Sequence, residues 1–400
     1  MIGRVQGRAV GAPEIARVRA FTHGPSWFGL RTSVGGWHGD GEPACHTSSP
    51  QTLARKRSLN ALSVQWGLLA GLLAVIALYL SLFVGRGWIP HDEGVLGQQA
   101  VRWLSGELPH RDFHETYSGG LTVLNGLAFK AFGINALSLR IMLLGTSLLC
   151  LSAVFLVLKN ALPPWAAAFM TLVVLVWSFP NYFAGLPSWY VVAFWCWGIY
   201  CVDRHAREER GGAGWLMAAG GCAGLAVLMK ISGIFFLPAA FLHLCHGAMT
   251  RSQERAGERG PSPGGTALVA MAVLSHAAGV LSLFRLLPTG DVFLNLILPN
   301  LVLDLYLAGI LWKSGGPSRE ETRRLLVQGA ALSAGLLLVV LPPLLWYAYK
   351  GALGDLASGV FVRPSRRIQS AFYPFPGSLY SFYGLAFALL LAAGLRRRRP

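Results

Sequence analysis

The stretch HDEGVLGQQAVRWLSGELPHRDF, residues 91–113, sets Asp92 beside Glu93 and follows them with Glu107 and Asp112. Glu115 comes next, so five of the chain's 18 acidic residues fall within residues 85–136. A carboxylate held near a substrate hydroxyl can take its proton. Asp92, Asp112, His114 and Glu115 could also hold a divalent metal, although their spacing matches no specific ligand motif. The plainer role for Asp92 is to cap a helix. It follows Pro90 and precedes an apolar stripe of Val95, Leu96, Val101 and Leu104. Capping alone does not account for the three further carboxylates Glu107, Asp112 and Glu115, with His110 and His114, in the same interval.

The flanking elements determine where these groups sit. The 400 residues are 54% hydrophobic and 13% charged, against roughly 25% charged in soluble domains. Residues 62–84 supply 23 residues without a charge, and a bilayer core takes about 20. That run starts too late and is too long for a secretory signal. Apolar runs at 62–84, 137–158, 165–180, 189–203, 214–231, 233–248, 266–287, 292–312, 325–349 and 379–395 predict an all-α polytopic membrane protein with about ten transmembrane helices. The six cysteines show no recurring paired spacing and read as small core residues.

The net charge of +16 could suggest nucleic acid. Its distribution excludes that partner, because the basic residues gather in short connections between spans. With the N-terminus inside, Lys159, 203–210, 251–259, 313–324 and 396–399 fall on the inner side and hold 15 Lys and Arg. The outer connections 181–188 and 288–291 hold none. This places HDEG outside. Residues 1–58 read as a disordered basic tail, as an over-called start site would produce, and 59–400 as the membrane domain.

Two outer regions carry basic residues against the rule: the first loop, 85–136, and a second loop, 350–378, with Arg363, Arg366 and Arg367. Such residues suit anion binding, and the bland alternative is a solvated loop or lipid headgroups. The first loop predicts one surface helix over 92–105, stopped by Gly106, and a second over about 119–132, ended by Gly133. Lys230 falls at the outer end of the fifth span; an ammonium at mid-membrane costs on the order of 3 kcal/mol and is rarely idle, unless it snorkels to the interface. Asp304, in LVLDLYL, is an intramembrane carboxylate that serves function or helix packing.

The ordered set of DEG, an amphipathic helix, GELPHRDF, a Gly-rich turn, LNGLAFKAFG and LSLRIMLLG resembles the first lumenal loop of GT-C superfamily glycosyltransferases. It is most similar to the family 39 branch of protein O-mannosyltransferases, the lipid A aminoarabinose transferase and bacterial relatives. The resemblance runs through about 88–145 and resumes at GGCAGLAVLMKISGIFFLPA, 220–239. It implies an enzyme that takes a sugar from a polyprenyl-phosphate carrier on the extracytoplasmic side and passes it to a lipid, glycan or protein acceptor. It implies catalytic roles for Asp92 and Glu93, and a substrate-positioning role for Asp112. Relatives often have a Pro-rich turn after RDF, where this chain has ETYSGG. His114, Glu115 and Tyr117 are substrate-binding candidates at that turn. Many relatives also run longer past the last span, whereas this chain stops at RRRRP.

A lipid phosphate is already a good leaving group, so the acceptor hydroxyl is the partner that needs help. One carboxylate acting as general base is sufficient, and Asp92 is the candidate. Inversion follows from a single displacement, as in the family. Lys230, Arg363, Arg366 and Arg367 are the cations that would meet the departing phosphate. No cofactor is required by this chemistry, and a divalent metal stays open. Hydropathy and the family branch favour a bacterial inner membrane. Two other classes compete. A transporter or flippase for a lipid-linked or anionic solute would use Lys230 and Asp304, but the internal symmetry usual in such proteins is missing. A non-catalytic scaffold would tolerate Asp92→Asn silently.

Overall fold

The computed structural model describes residues 50–208, 212–254, 260–286 and 290–364. The chain divides into two units, Met1–Arg57 and Ser58–Pro400, and the account below concerns the second. The tail expected over 1–58 up to residue 49, the tenth expected span at 379–395, and Arg366 and Arg367 lie outside the described residues.

Among the described residues the chain is helical, with one isolated bridge between Pro109 and Phe113. The helices are α1 (Pro50–Val84), α2 (Pro90–Leu104), α3 (Gly120–Phe132), α4 (Ala136–Leu158), α5 (Pro164–Ser178), α6 (Pro187–Arg207) and α7 (Ala213–Met229). They continue with α8 (Phe236–Glu254), α9 (Pro263–Leu286), α10 (Gly290–Val292), α11 (Leu298–Ser314), α12 (Arg319–Tyr349) and α13 (Leu353–Ala357). Nine of the ten expected spans coincide with helices, and seven helical segments are long and apolar enough to cross a bilayer. The two others fall short for simple reasons. At 17 residues α7 is brief, and α6 ends in the charged Asp203–Arg207 segment. The protein is therefore an all-α integral membrane protein.

Local chemistry sets the boundaries. Proline opens α2, α5 and α6, where its missing N–H costs nothing. Asn135 caps α4 by accepting from the Ser138 amide at 2.9 Å. Ser318 caps α12 by accepting from the Glu321 amide at 3.4 Å, in a Ser-x-x-Glu arrangement. The α2 start corrects the expected boundary. The helix begins at Pro90 rather than residue 92, and its cap position is Ile89, so Asp92 is not the cap. It lies in the first turn, where a carboxylate still favours the helix dipole.

Small residues bring α7 and α12 together. A Cβ on Gly220 would overlap the Leu332 carbonyl, and one on Gly335 would overlap the Met217 carbonyl. Close backbone contact of this kind is how helices associate where no hydrophobic force drives them. Between α9 and α11, the His276 Nδ1 meets Asp304 at 2.9 Å, so the intramembrane carboxylate joins two helices. Antiparallel order then collects two sets of ends. One end carries the first loop with the start of α6, the end of α7 and the end of α12. The other carries the short basic connections, held by Asn160 to Asp203 (2.6 Å) and Arg251 to Glu321 (2.9 Å).

Candidate active site

The first loop folds onto the bundle through a small apolar core. Leu96 of α2 and Leu121 of α3 pack with Tyr190 and Val191 of α6 and Ala226 and Met229 of α7. Gly126 allows α3 to close on Trp103 of α2, and Gly120 allows its start to lie on the Leu228 backbone. These contacts place the α2–α3 turn beside the end of α7.

The five carboxylates of the loop meet different fates. Glu93 is fully buried and faces Arg140 in a fork, at 2.7 Å to Nε and 2.6 Å to the terminal nitrogen. Arg140 also donates to the carbonyls of Phe83 (3.3 Å), Gly87 (2.8 Å) and Arg86, fastening the end of α1. Glu107 accepts from Arg102, whose guanidinium lies 4.9 Å over the Phe113 ring and donates to the Asp112 carbonyl. Asp112 is held by Arg111 (2.8 and 2.9 Å) and by the Leu108 amide (2.7 Å). The Arg111 hydrogen bond, then the amide, hold its carboxyl down at about 2. Glu115 is buried, accepting from the Tyr117 amide at 3.1 Å and from the Thr122 hydroxyl. Burial pushes its carboxyl up, and those hydrogen bonds offset part of the rise.

Asp92 differs. Its carboxylate is half-buried, and no cation pairs with it among the described residues. Its Oδ2 accepts from the Tyr182 hydroxyl at 2.5 Å. Tyr182 ends a 3₁₀ turn (Phe179–Tyr182) after α5. Its carbonyl accepts from the Trp189 indole at 3.1 Å, and Trp189 stacks on Phe179 at 4.5 Å. Tyr182 also lies within electrostatic reach of Tyr117.

Tyr117 leads to the cation. The Lys230 Nζ lies 5.9 Å over the Tyr117 ring and 3.4 Å from the Ser188 hydroxyl. Lys230 sits in extended backbone where α7 stops, before a 3₁₀ turn (Ile231–Phe235) leads into α8. Thr116, Tyr117, Ser118, Lys230 and Val360 line a cavity of about 160 Å³ there. That is space for roughly five waters or one small anionic group. The Ser118 hydroxyl is buried without a partner among the described residues. Arg363 is half-buried and close enough to His110 to disfavour its protonation. His114 is exposed, its carbonyl accepting from the Gln99 amide at 3.0 Å. Thus Asp92, Tyr117 and Lys230 share one surface. Glu93, Asp112 and Glu115 are tied into the loop's own structure. Among the described residues no three of His, Cys, Asp and Glu gather as a metal-holding group.

Tyr182, Arg140 and His110 were not marked as functional by the sequence reading. Tyr182 gave no local signal beyond its place in an uncharged outer connection, and Arg140 only its position at the head of a span. His110 has a left-handed backbone (φ 67°), and its buried ring lacks hydrogen-bond partners on both nitrogens among the described residues. It abuts Gly359, where a Cβ would collide with it. Burial first, then Arg363 and His114, push its pKa from 6.5 down to about 4, with Asp355 opposing. The docked ring stays neutral while a released ring binds a proton below 6.5. Docking is therefore at full strength above pH 6.5 and weakens as pH falls toward 4. Hydrogen exchange of residues 106–119 is expected to quicken across that window, and less so in His110→Asn, which tolerates the same backbone. Equal pH responses in the two proteins would refute this.

Residues 122–279 match the family model of dolichyl-phosphate-mannose-protein mannosyltransferases. Comparison with curated proteins and with solved structures returns no match. The matched segment covers α3 through most of α9 and includes Arg140, Tyr182 and Lys230. Taken with the all-helical membrane architecture, this match supports a membrane glycosyltransferase of the GT-C type.

Proposed function

We propose that the protein transfers a sugar from a polyprenyl-phosphate-linked donor to an envelope acceptor, with inversion, at the extracytoplasmic face of a bacterial inner membrane. One observation carries this reading. Of the five first-loop carboxylates, Asp92 alone has neither an ion pair nor full burial among the described residues. Tyr182 occupies Oδ2, and Oδ1 is left to take the proton of the acceptor hydroxyl. The acceptor oxygen then bonds to the anomeric carbon as the bond from that carbon to the phosphate oxygen breaks. Polyprenyl phosphate leaves as an anion beside Lys230, Tyr117 and the Ser118 hydroxyl. Glu93 and Asp112 act at one remove, by positioning α2 and the turn, and Arg363 with Arg366 and Arg367 supplies further positive charge.

The test uses the purified protein in liposomes. Labelled polyprenyl-phosphate sugars and nucleotide sugars are offered with envelope acceptors. Release of polyprenyl phosphate with label on the acceptor is expected. Label that crosses the bilayer without transfer would replace this reading with the transporter. In the same assay, Lys230→Ala is expected to raise the donor KM about ten- to hundredfold, the worth of a hydrogen bond to a charged group. An unchanged donor saturation curve would remove Lys230 from the phosphate site.

A further inference from the structure

A cavity of about 670 Å³ opens at the opposite end of the bundle from Asp92. It is walled by the end of α6 (His205, Glu208), the start of α7 (Leu216), the end of α8 (Leu244, Arg251) and the start of α12 (Arg323, Gln328). The transfer chemistry proposed above makes no use of it. We propose that this cavity is a second binding site, for an anionic phosphate headgroup.

Three features point to that ligand class. The first is charge that is already answered on the acidic side. Glu208 accepts from Arg204 and from the Trp215 indole, each at 3.0 Å, Glu320 from Arg324 at 3.1 Å, and Glu321 from Arg251 at 2.9 Å. Arg323 forms no ion pair among the described residues, and Arg251 spends only its Nε on Glu321 there. A guanidinium has five N–H donors in a fork that suits phosphate. The second feature is an unanswered acceptor. The Gln328 amide nitrogen lies 2.9 Å from His205 Nε2, while its carbonyl oxygen is buried without a partner among the described residues. Turning the amide over would merely orphan its other end. A headgroup hydroxyl or amine would satisfy it. The third feature is the apolar wall of Leu216, Leu244, Val327 and Ala331, with Val327 57% exposed. A soluble anion has no use for that wall, whereas an acyl chain does.

The experiment uses the full chain in detergent micelles, with thermal unfolding and native mass spectrometry as readouts. Phosphatidylglycerol, phosphatidylcholine and inorganic pyrophosphate are added separately. Phosphatidylglycerol is expected to raise the unfolding midpoint and to remain bound at about one molecule per chain, and phosphatidylcholine to do neither. Stabilisation by pyrophosphate as well would identify free phosphate as a sufficient ligand, and its failure would identify the source as lipid. Arg323 is exposed and has no ion pair among the described residues, so Arg323→Gln should fold while weakening retention about tenfold. Val327→Trp, which fills the cavity from its apolar wall, should abolish retention. Equal effects of the two lipids, no effect of either anion, or retention unchanged in both variants would overturn the site.

Discussion

Asp92→Asn is expected to lower the rate of sugar transfer by about a hundredfold to ten-thousandfold, the range supplied by a positioned general base. The substitution keeps the shape of the side chain and its hydrogen bond with Tyr182, but an amide cannot accept a proton from the acceptor. Folding should be nearly unaffected. Asp92 is half-buried, has no cationic partner among the described residues, and contributes to α2 only through the helix dipole, worth about 0.3–1 kcal/mol. The loss should therefore fall on kcat, with donor KM little changed. The check is the initial rate of polyprenyl phosphate release in liposomes, with the unfolding midpoint taken on the same preparation. Transfer at the wild-type rate by a folded Asp92→Asn protein would end the general-base assignment.

The neighbouring residue should behave in the opposite way. Glu93→Gln leaves Arg140 buried opposite an uncharged amide, and breaking a buried ion pair in this manner costs about 3–5 kcal/mol. The damage should spread, because Arg140 also donates to three carbonyls between Phe83 and Gly87. Loss of the pair thus loosens the junction of α1, α2 and α4 at once. The expected result is a sharply lowered unfolding midpoint and rapid proteolysis within residues 85–119. Activity should fall with the folded fraction. Replacing both partners, Glu93→Met with Arg140→Met, should recover part of the stability, since it removes the stranded charge. Recovery should remain incomplete, because the carbonyls lose their donor. A Glu93→Gln protein of wild-type stability but without activity would return Glu93 to the chemistry and defeat the structural assignment. Two adjacent acids, one lost in kcat and the other in stability, would be separable in a single set of preparations.

Much of the architecture is legible in local pattern. A run of about 20 uncharged apolar residues has few alternatives to a membrane helix, so nine expected spans recur as helices. Gly133 as the stop of α3 follows from backbone freedom at a positive φ of 87°. Lys230 at the end of a Gly-rich span was legible because hydropathy puts a lone ammonium at a boundary. What local pattern could not decide was which acid in Asp92-Glu93 does what. Successive residues on a helix point about 100° apart. That angle turns Glu93 inward, onto an arginine 47 positions away, and leaves Asp92 outward against a tyrosine 90 positions away. Neither partner is marked by spacing, because both meetings are made by helix packing across the bundle. Glu115 and Asp112, which read as site groups, are instead closed by local partners, Thr122 seven positions on and Arg111 next in the chain. Composition and periodicity by themselves determined a helical membrane protein with an acid-rich first loop. Only the tertiary structure decided which acid is left without a cation or full burial among the described residues, because burial and pairing depend on residues brought together by the fold.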